Sequence, residues 1–298
     1  MRKHPVFFGM LILLVLCFVV YVVFYKAGLY SGKNKSFSLR DKIGVVTVDG
    51  VINDSMDITD QLDEFAKDDS IVAVVLRVDS PGGGVAVSQE IYDALIELRK
   101  TKKVVASMGT VAASGGLLVA CGADKIVANP GTITGSISAI MEFANFEGLL
   151  KKIGLKASVV KSGQYKDIGS PLRSMTPEEK VILQDLVDDI YNQFIDVIVR
   201  ERKLPREKVI AIADGRVFSG RKAKELGLVD ALGDMTSAAK LAYKLAGKEG
   251  KYDLVYPSKK RTSIFDYFLE SAATQIGNSL KEKMESKTGI SYLYYPAR

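Results

Sequence analysis

The chain has 298 residues, 47% hydrophobic and 26% charged, enough for one large domain or two small ones and with no low-complexity tract. Its net charge of +6 is scattered rather than striped, which argues against a nucleic-acid footprint and would suit an anionic membrane surface. The one histidine, His4, precedes a long apolar run, so a folded domain beyond that run holds no Ser-His-Asp triad, Cys-His pair or histidine-based metal site.

Residues 6–25 (VFFGMLILLVLCFVVYVVFY) carry no charge and are long enough to span a bilayer as a helix. A cleaved signal peptide is the rival reading. The run is long for one, no small-x-small site follows it, and Leu14-Val15-Leu16 before Cys17 lacks the small residue of a lipoprotein site. An uncleaved anchor is therefore expected, with residues 26–40 as a flexible stalk. Lys26, Lys33, Lys35 and Arg40 follow the span, so charge alone does not orient it. Cys17 in the span and Cys121 in a later apolar helix make no internal disulfide.

Strands and helices then alternate, the pattern of an α/β fold with a mostly parallel sheet. A strand is expected at 43–50 and a helix at 58–67. The β-branched run at 71–78 reads as a strand buried on both faces. It ends in Asp79-Ser80-Pro81-Gly82-Gly83-Gly84, followed by a helix with Val87, Ile91, Ala94, Leu95 and Leu98 on one face. The glycines lack both G-x-G-x-x-G spacing and a Walker lysine, so they read as bare backbone at a strand end, where open α/β sheets place their sites.

The stretch 104–121 reads as a strand over 104–107, a turn of small residues, then an apolar helix. Ser114 stands where the turn becomes the helix. It is either a helix cap, which serines often are, or a nucleophile facing the first-turn N–H groups. A short strand and turn follow at 124–131, a β-rich segment with two turn residues at 132–140, a helix at 146–153 and a strand at 157–160. Beyond residue 170 the chain turns helical. Thr176-Pro177-Glu178-Glu179 is a capping box opening a long helix that ends near Arg202. Shorter elements are expected over 206–233, then a helix at 236–246, a strand at 254–256 and an amphipathic helix at 263–284. That last helix reads as core or oligomer packing, since its polar face is not strongly basic.

Without histidine, the base for a serine nucleophile is a lysine, as in Ser-Lys variants of the triad. It works only in its neutral form. Lys166, in the Lys161–Pro171 loop between Tyr165 and Ile168, is the best candidate; Lys161 competes locally but lies at the edge of the expected strand.

Five motifs in order make the resemblance specific: Ser-Pro-Gly-Gly-Gly (80–84), Met-Gly-x-x-Ala-Ala-Ser-Gly-Gly (108–116), Thr-Gly-Ser-Ile (134–137), Lys-Ser-Gly-x-x-Lys-Asp (161–167) and Ala-Asp-Gly-Arg-Val-Phe (213–218). Over roughly 41–235 the sequence resembles the signal peptide peptidase A family in its short, single-unit bacterial form. The connection around Lys100 to Lys103 is slightly shorter than in the family. The resemblance implies a Clp protease–crotonase type fold of repeated ββα units, behind an N-terminal transmembrane helix. It implies Ser114 as nucleophile, Lys166 as general base, Ser136 orienting the lysine, and the N–H groups of Gly83 and Gly115 as oxyanion hole. No metal and no cofactor is implied. Signal peptides and other unfolded apolar peptides would be the substrates. A ring-like homo-oligomer, held at the cell membrane by one span with its catalytic domain outside the cytoplasm, would be the assembly. The expected organisation is an anchor (1–25), a stalk (26–40), a Ser/Lys peptidase domain (41–235) and a C-terminal helical extension (236–298) for packing or oligomerisation. The rivals are a crotonase-like acyl-CoA enzyme and a non-catalytic membrane scaffold with Ser114 as a cap.

Overall fold

A computed structural model describes residues 12–22, 40–257 and 291–293. It divides into two units, Met1–Arg40 and Asp41–Arg298. In the first, residues 12–22 form a helix (α1) whose apolar side chains, Ile12, Leu14 and Phe18 among them, are exposed. Among the described residues no helix is long and apolar enough to cross a membrane. The predicted span at 6–25 lies partly outside those residues, and the predicted helix at 263–284 wholly outside.

The second unit is built on one sheet. The strands that matter for the site are β1 (Asp41–Asp49), β2 (Ile71–Ser80), β3 (Gly82–Gly84), β4 (Lys103–Ala113), β5 (Lys125–Ala128) and β6 (Ile133–Gly135). Later in the chain come β7 (Val217–Ser219), β8 (Ala231–Leu232), β9 (Tyr252–Val255) and β10 (Ser291–Leu293). The main order is β7-β6-β4-β2-β1-β9, with β5 on β4 and β8 on β5. All these pairs are parallel except β6 with β7.

The β-branched composition of β2 explains its place in the middle. Val74, Leu76 and Val78 point to one core and Ala73 and Val75 to the other, all fully buried. The larger core is covered by α2 (Met56–Lys67), α3 (Val85–Leu98), α4 (Gly115–Cys121) and the second half of α6 (Pro177–Arg202). The smaller one is covered by α9 (Met235–Leu245), through Ala238, Ala239, Ala242 and Tyr243. Full burial of a Val, Leu or Ile side chain contributes ~1.5–3 kcal/mol, so this two-sided burial is the main anchor of the fold.

Two expectations are corrected. The strand expected to stop at Ser107 continues through Gly109 to Ala113. It changes partner on the way: residues 105–108 pair with β5, and residues 111–113 with β6. Between them the strand peels from β2, and the Asp79 carboxylate accepts the N–H groups of Thr110 (3.1 Å) and Val111 (3.0 Å). A Cβ at Gly109 would lie 2.2 Å from that carboxylate, so only glycine lets Asp79 in. The strand expected at 157–160 is absent: these residues are exposed without a sheet partner, Val160 completely. A β-branched run makes a strand only where a neighbouring strand takes up its backbone groups.

The arm comprising residues 140–176 includes α5 (Glu147–Lys152) and leads into α6. Ile140, Phe143, Phe146, Leu149, Ile153 and Leu155 stand exposed along it. The predicted capping box at the start of α6 is formed: Thr176 Oγ1 accepts from Glu179 N, and a Glu179 carboxylate oxygen accepts from Thr176 N. The remaining short helices are α7 (Arg206–Ile210) and α8 (Gly220–Glu225).

Candidate active site

Ser114 lies at the junction of β4 and α4, buried at 1% exposure. Its backbone adopts φ 55° and ψ −119°, an uncommon conformation for a residue with a side chain. The N–H of Ser114 donates to Gly135 O (2.8 Å), and its carbonyl accepts from Leu118 N (3.0 Å). The side chain makes no capping bond. That overturns the capping alternative: the residue occupies the N-cap position but does not use its hydroxyl there. Instead Oγ is buried without a hydrogen-bond partner. A buried hydroxyl in this state costs free energy, of order 1–3 kcal/mol, and strained, unsatisfied groups of this kind concentrate at functional sites.

The glycine strand β3 runs beside it. Gly82 O accepts from Ile52 N and Gly84 N donates to Ile52 O, both at 2.9 Å. Alternation along a strand then directs the N–H and C=O of Gly83 to the opposite edge. The glycines are required by packing: a Cβ on Gly83 would fall 2.1 Å from Ile52 O. A Cβ on Gly115 would fall 2.6 Å from Ser88 Oγ and 3.2 Å from Gly83 N. The backbones of Gly83 and Gly115 are thus immediate neighbours. Two N–H groups so close to a buried serine hydroxyl are the elements of an oxyanion-binding site.

The free edge of β3 is occupied by the chain itself. Backbone residues Ser291–Leu293 pair antiparallel with Gly84–Gly82, with Tyr292 opposite Gly83, and the segment also lies against α4. No periodicity or composition marks this pairing, which joins positions about two hundred residues apart and depends on backbone alone.

Ser136 is brought to Ser114. Ala113 pairs with Gly135, so the residues following each lie side by side. Ser136 also has a positive φ, 51°, and is buried; its N–H donates to Arg216 O at 2.8 Å. Lys166 makes no hydrogen bond to Ser114, whose Oγ has no partner. It is exposed in a turn, and among the described residues its side chain has no hydrogen-bond or ion-pair partner. Lys161, the competing candidate, is engaged by Asp167 and by Gln164 O (2.6 Å).

Sequence reasoning missed the ion cluster beside that turn. Arg173 donates from Nε and Nη2 to the two carboxylate oxygens of Asp167, each at 2.8 Å, and from Nη1 to Glu179 at 2.8 Å. The Arg173 fork, followed by Lys161, holds the Asp167 carboxyl well below the usual carboxylate range. Arg173 and then the Thr176 N–H hold Glu179 at about 2. Among the described residues no group of three or more His, Cys, Asp or Glu side chains is placed to share a metal ion.

Comparison with known proteins agrees with this geometry. The family model for peptidase family S49 matches residues 96–249, just over half of the chain, and includes Ser114, Ser136 and Lys166. The Clp protease model matches residues 34–133, which hold the glycine strand and Ser114. A candidate protease of Synechocystis sp. is 52% identical over 175 residues, covering 59% of this chain and 63% of that protein. A candidate protease of Methanocaldococcus jannaschii is 39% identical over 204 residues, 68% of this chain and 66% of that protein. A candidate signal peptide peptidase SppA of Enterococcus faecium is 37% identical over 174 residues, 58% and 51% of the two chains. The chain thus spans about two thirds or less of these relatives. By the extent of the family match, and with the glycine strand, the strained serine and the lysine turn all present, the chain belongs to peptidase family S49.

Proposed function

We propose that the protein is a serine endopeptidase in which Ser114 attacks the peptide carbonyl, Lys166 takes the proton from its Oγ, and the N–H groups of Gly83 and Gly115 hold the oxyanion. The lysine gives that proton to the departing amine as the C–N bond breaks, and water then hydrolyses the acyl-enzyme ester, freeing Ser114. The observation that carries the reading is Ser114 itself: a buried hydroxyl on a strained backbone, unused as a cap and unpartnered, beside two bare glycine backbones. Ser136, next to Ser114 in the β4–β6 ladder, orients the lysine.

Substrate binds as an extended strand on the outer edge of β3, displacing residues 291–293, which take that position antiparallel to it. Backbone pairing of this kind is tolerant of sequence and suits unfolded apolar peptides, signal peptides among them. The chain is held at the membrane by residues 6–25, with the catalytic unit outside the cytoplasm, where such peptides would reach it.

The dyad is completed between copies. Lys166 projects from an arm whose large apolar side chains stand exposed, while Ser114 awaits a base. Apolar side chains in such density are covered by association. A ring of copies covers them and brings the arm of one subunit to the serine of the next.

The test is labelling of the full chain with a fluorophosphonate probe, comparing wild type with Ser114→Ala and Lys166→Ala. The reading predicts labelling of the wild type alone. Equal labelling of all three would overturn it.

A further inference from the structure

The Lys166 side chain has no partner among the described residues, so its backbone turn alone sets its direction. That turn belongs to no helix or strand. It is tied internally by Lys166 N to Gly163 O (3.2 Å), Ile168 N to Tyr165 O (3.1 Å) and Ser170 N to Asp167 O (3.0 Å). Exposed turn bonds of this sort are worth little against water.

The attachment of the turn to the folded body runs through the next residue. Asp167 receives Arg173 at both carboxylate oxygens and Lys161 at one. The other edge of the guanidinium grips Glu179, which is 2% exposed and already seated by the capping box at the start of α6. Farther along, α6 is set in the core by Phe194, Ile195 and Ile198, all fully buried. A continuous path therefore runs from the core along α6 to Glu179, then Arg173, Asp167 and the Lys166 turn. A planar guanidinium with five donors can serve two carboxylates at once; an ammonium cannot do so with the same fixed geometry. The cluster pairs two cations, Lys161 and Arg173, with two carboxylates, so its contribution is geometry rather than net field.

We propose that Arg173, braced by Glu179, is a positioning residue for Lys166: it fixes the turn that presents the lysine by forking onto Asp167. This rests on the assignment of Lys166 as base. Another tether of the same arm offers an internal control. Glu147 accepts from Ser174 N (2.9 Å) and Ser174 Oγ (2.7 Å), joining α5 to the segment before α6 without touching the Lys166 turn.

The experiment measures kcat and KM on an internally quenched apolar peptide, fluorophosphonate acylation rates and oligomer size, for the full chain and its variants. Arg173→Ala is expected to lower kcat about 100-fold, the scale of a 1 Å misplacement of a reacting group, with KM within about twofold and acylation slowed in parallel. Arg173→Lys, which keeps the charge and favours folding, recovers only part of the loss. Adding Glu179→Gln to Arg173→Ala costs nothing further, because both act on one path. Glu147→Gln keeps kcat within about twofold. Wild-type kcat in Arg173→Ala or Arg173→Lys, with Lys166→Ala inactive, would overturn the proposal alone. So would an equal loss in Glu147→Gln. Full activity in Lys166→Ala would instead remove the reading beneath it.

Discussion

The two halves of the proposed dyad sit in opposite physical settings. Ser114 lies in a fully packed environment: Leu117, Leu118, Val119 and Ala120 after it have no exposed surface, nor do Ala112 and Ala113 before it. Its backbone strain is held because the surrounding β4–β6 ladder and α4 leave no alternative. Lys166 lies on an arm whose apolar side chains face outward and whose order comes from ion pairs. One region is fixed by apolar burial within the chain, the other by a polar clamp and, in our proposal, by a second copy. With the lysine supplied by a neighbouring copy, as we propose, assembly itself would control activity.

The largest effects should come from the dyad. Ser114→Ala and Lys166→Ala should each reduce peptide hydrolysis by about 10³-fold or more, with thermal stability near wild type, checked by kcat/KM and a melting curve. Gly83→Ala comes next. Its Cβ would meet Ile52 O at 2.1 Å, moving β3 and its N–H, and a loss of about 10²–10³ in kcat is expected, as for an oxyanion donor.

A packing pair separates the two regions. Leu117→Ala should cost ~2–5 kcal/mol in denaturant unfolding, because it opens a cavity in the larger core. Leu149→Ala, at an exposed arm position, should change unfolding by no more than ~0.5 kcal/mol but weaken the oligomer, read by sedimentation. Equal costs in unfolding would erase the contrast.

The smallest effect is on pH dependence. The carboxyl of Glu179 in the folded chain, at about 2, lies below its ordinary 4.5. A carboxylate lowered in this way stabilises the folded arm fully above the ordinary value, and that contribution is lost as the pH falls through about 2. Hydrogen exchange, corrected for intrinsic rates, should therefore show residues 161–179 losing protection in that acid range. Glu179→Gln should weaken the dependence and leave the part owed to Asp167, whose carboxyl Arg173 also holds low; an unchanged profile would argue against the clamp.

How much of this was legible follows the same divide. Regions fixed by local pattern read correctly: the β-branched run of β2, the apolar face of α3, and the capping box at Thr176 all encode their own structure. The serine and the glycine strand stood out as a small-residue junction and as bare backbone at a strand end, with a helix cap left as the alternative for Ser114. What depended on distant partners did not read. The extension of β4 past Gly109 needs Asp79 to take over its N–H groups. Val159 and Val160 had strand propensity but find no strand beside them. The Arg173 clamp joins residues six apart on either side, a spacing with no helical or strand period to mark it. The pairing of 291–293 with β3 leaves no trace in composition.

Subunit complementation shows directly whether serine and lysine come from different copies. Ser114→Ala and Lys166→Ala, each inactive alone, should be co-expressed and assayed together for peptide hydrolysis. If each site draws its serine from one subunit and its lysine from the next, an equal mixture regains about a quarter of wild-type activity, because half the sites keep the serine and half of those meet an intact lysine. Mixed oligomers of wild-type size with no activity at any ratio would contradict it.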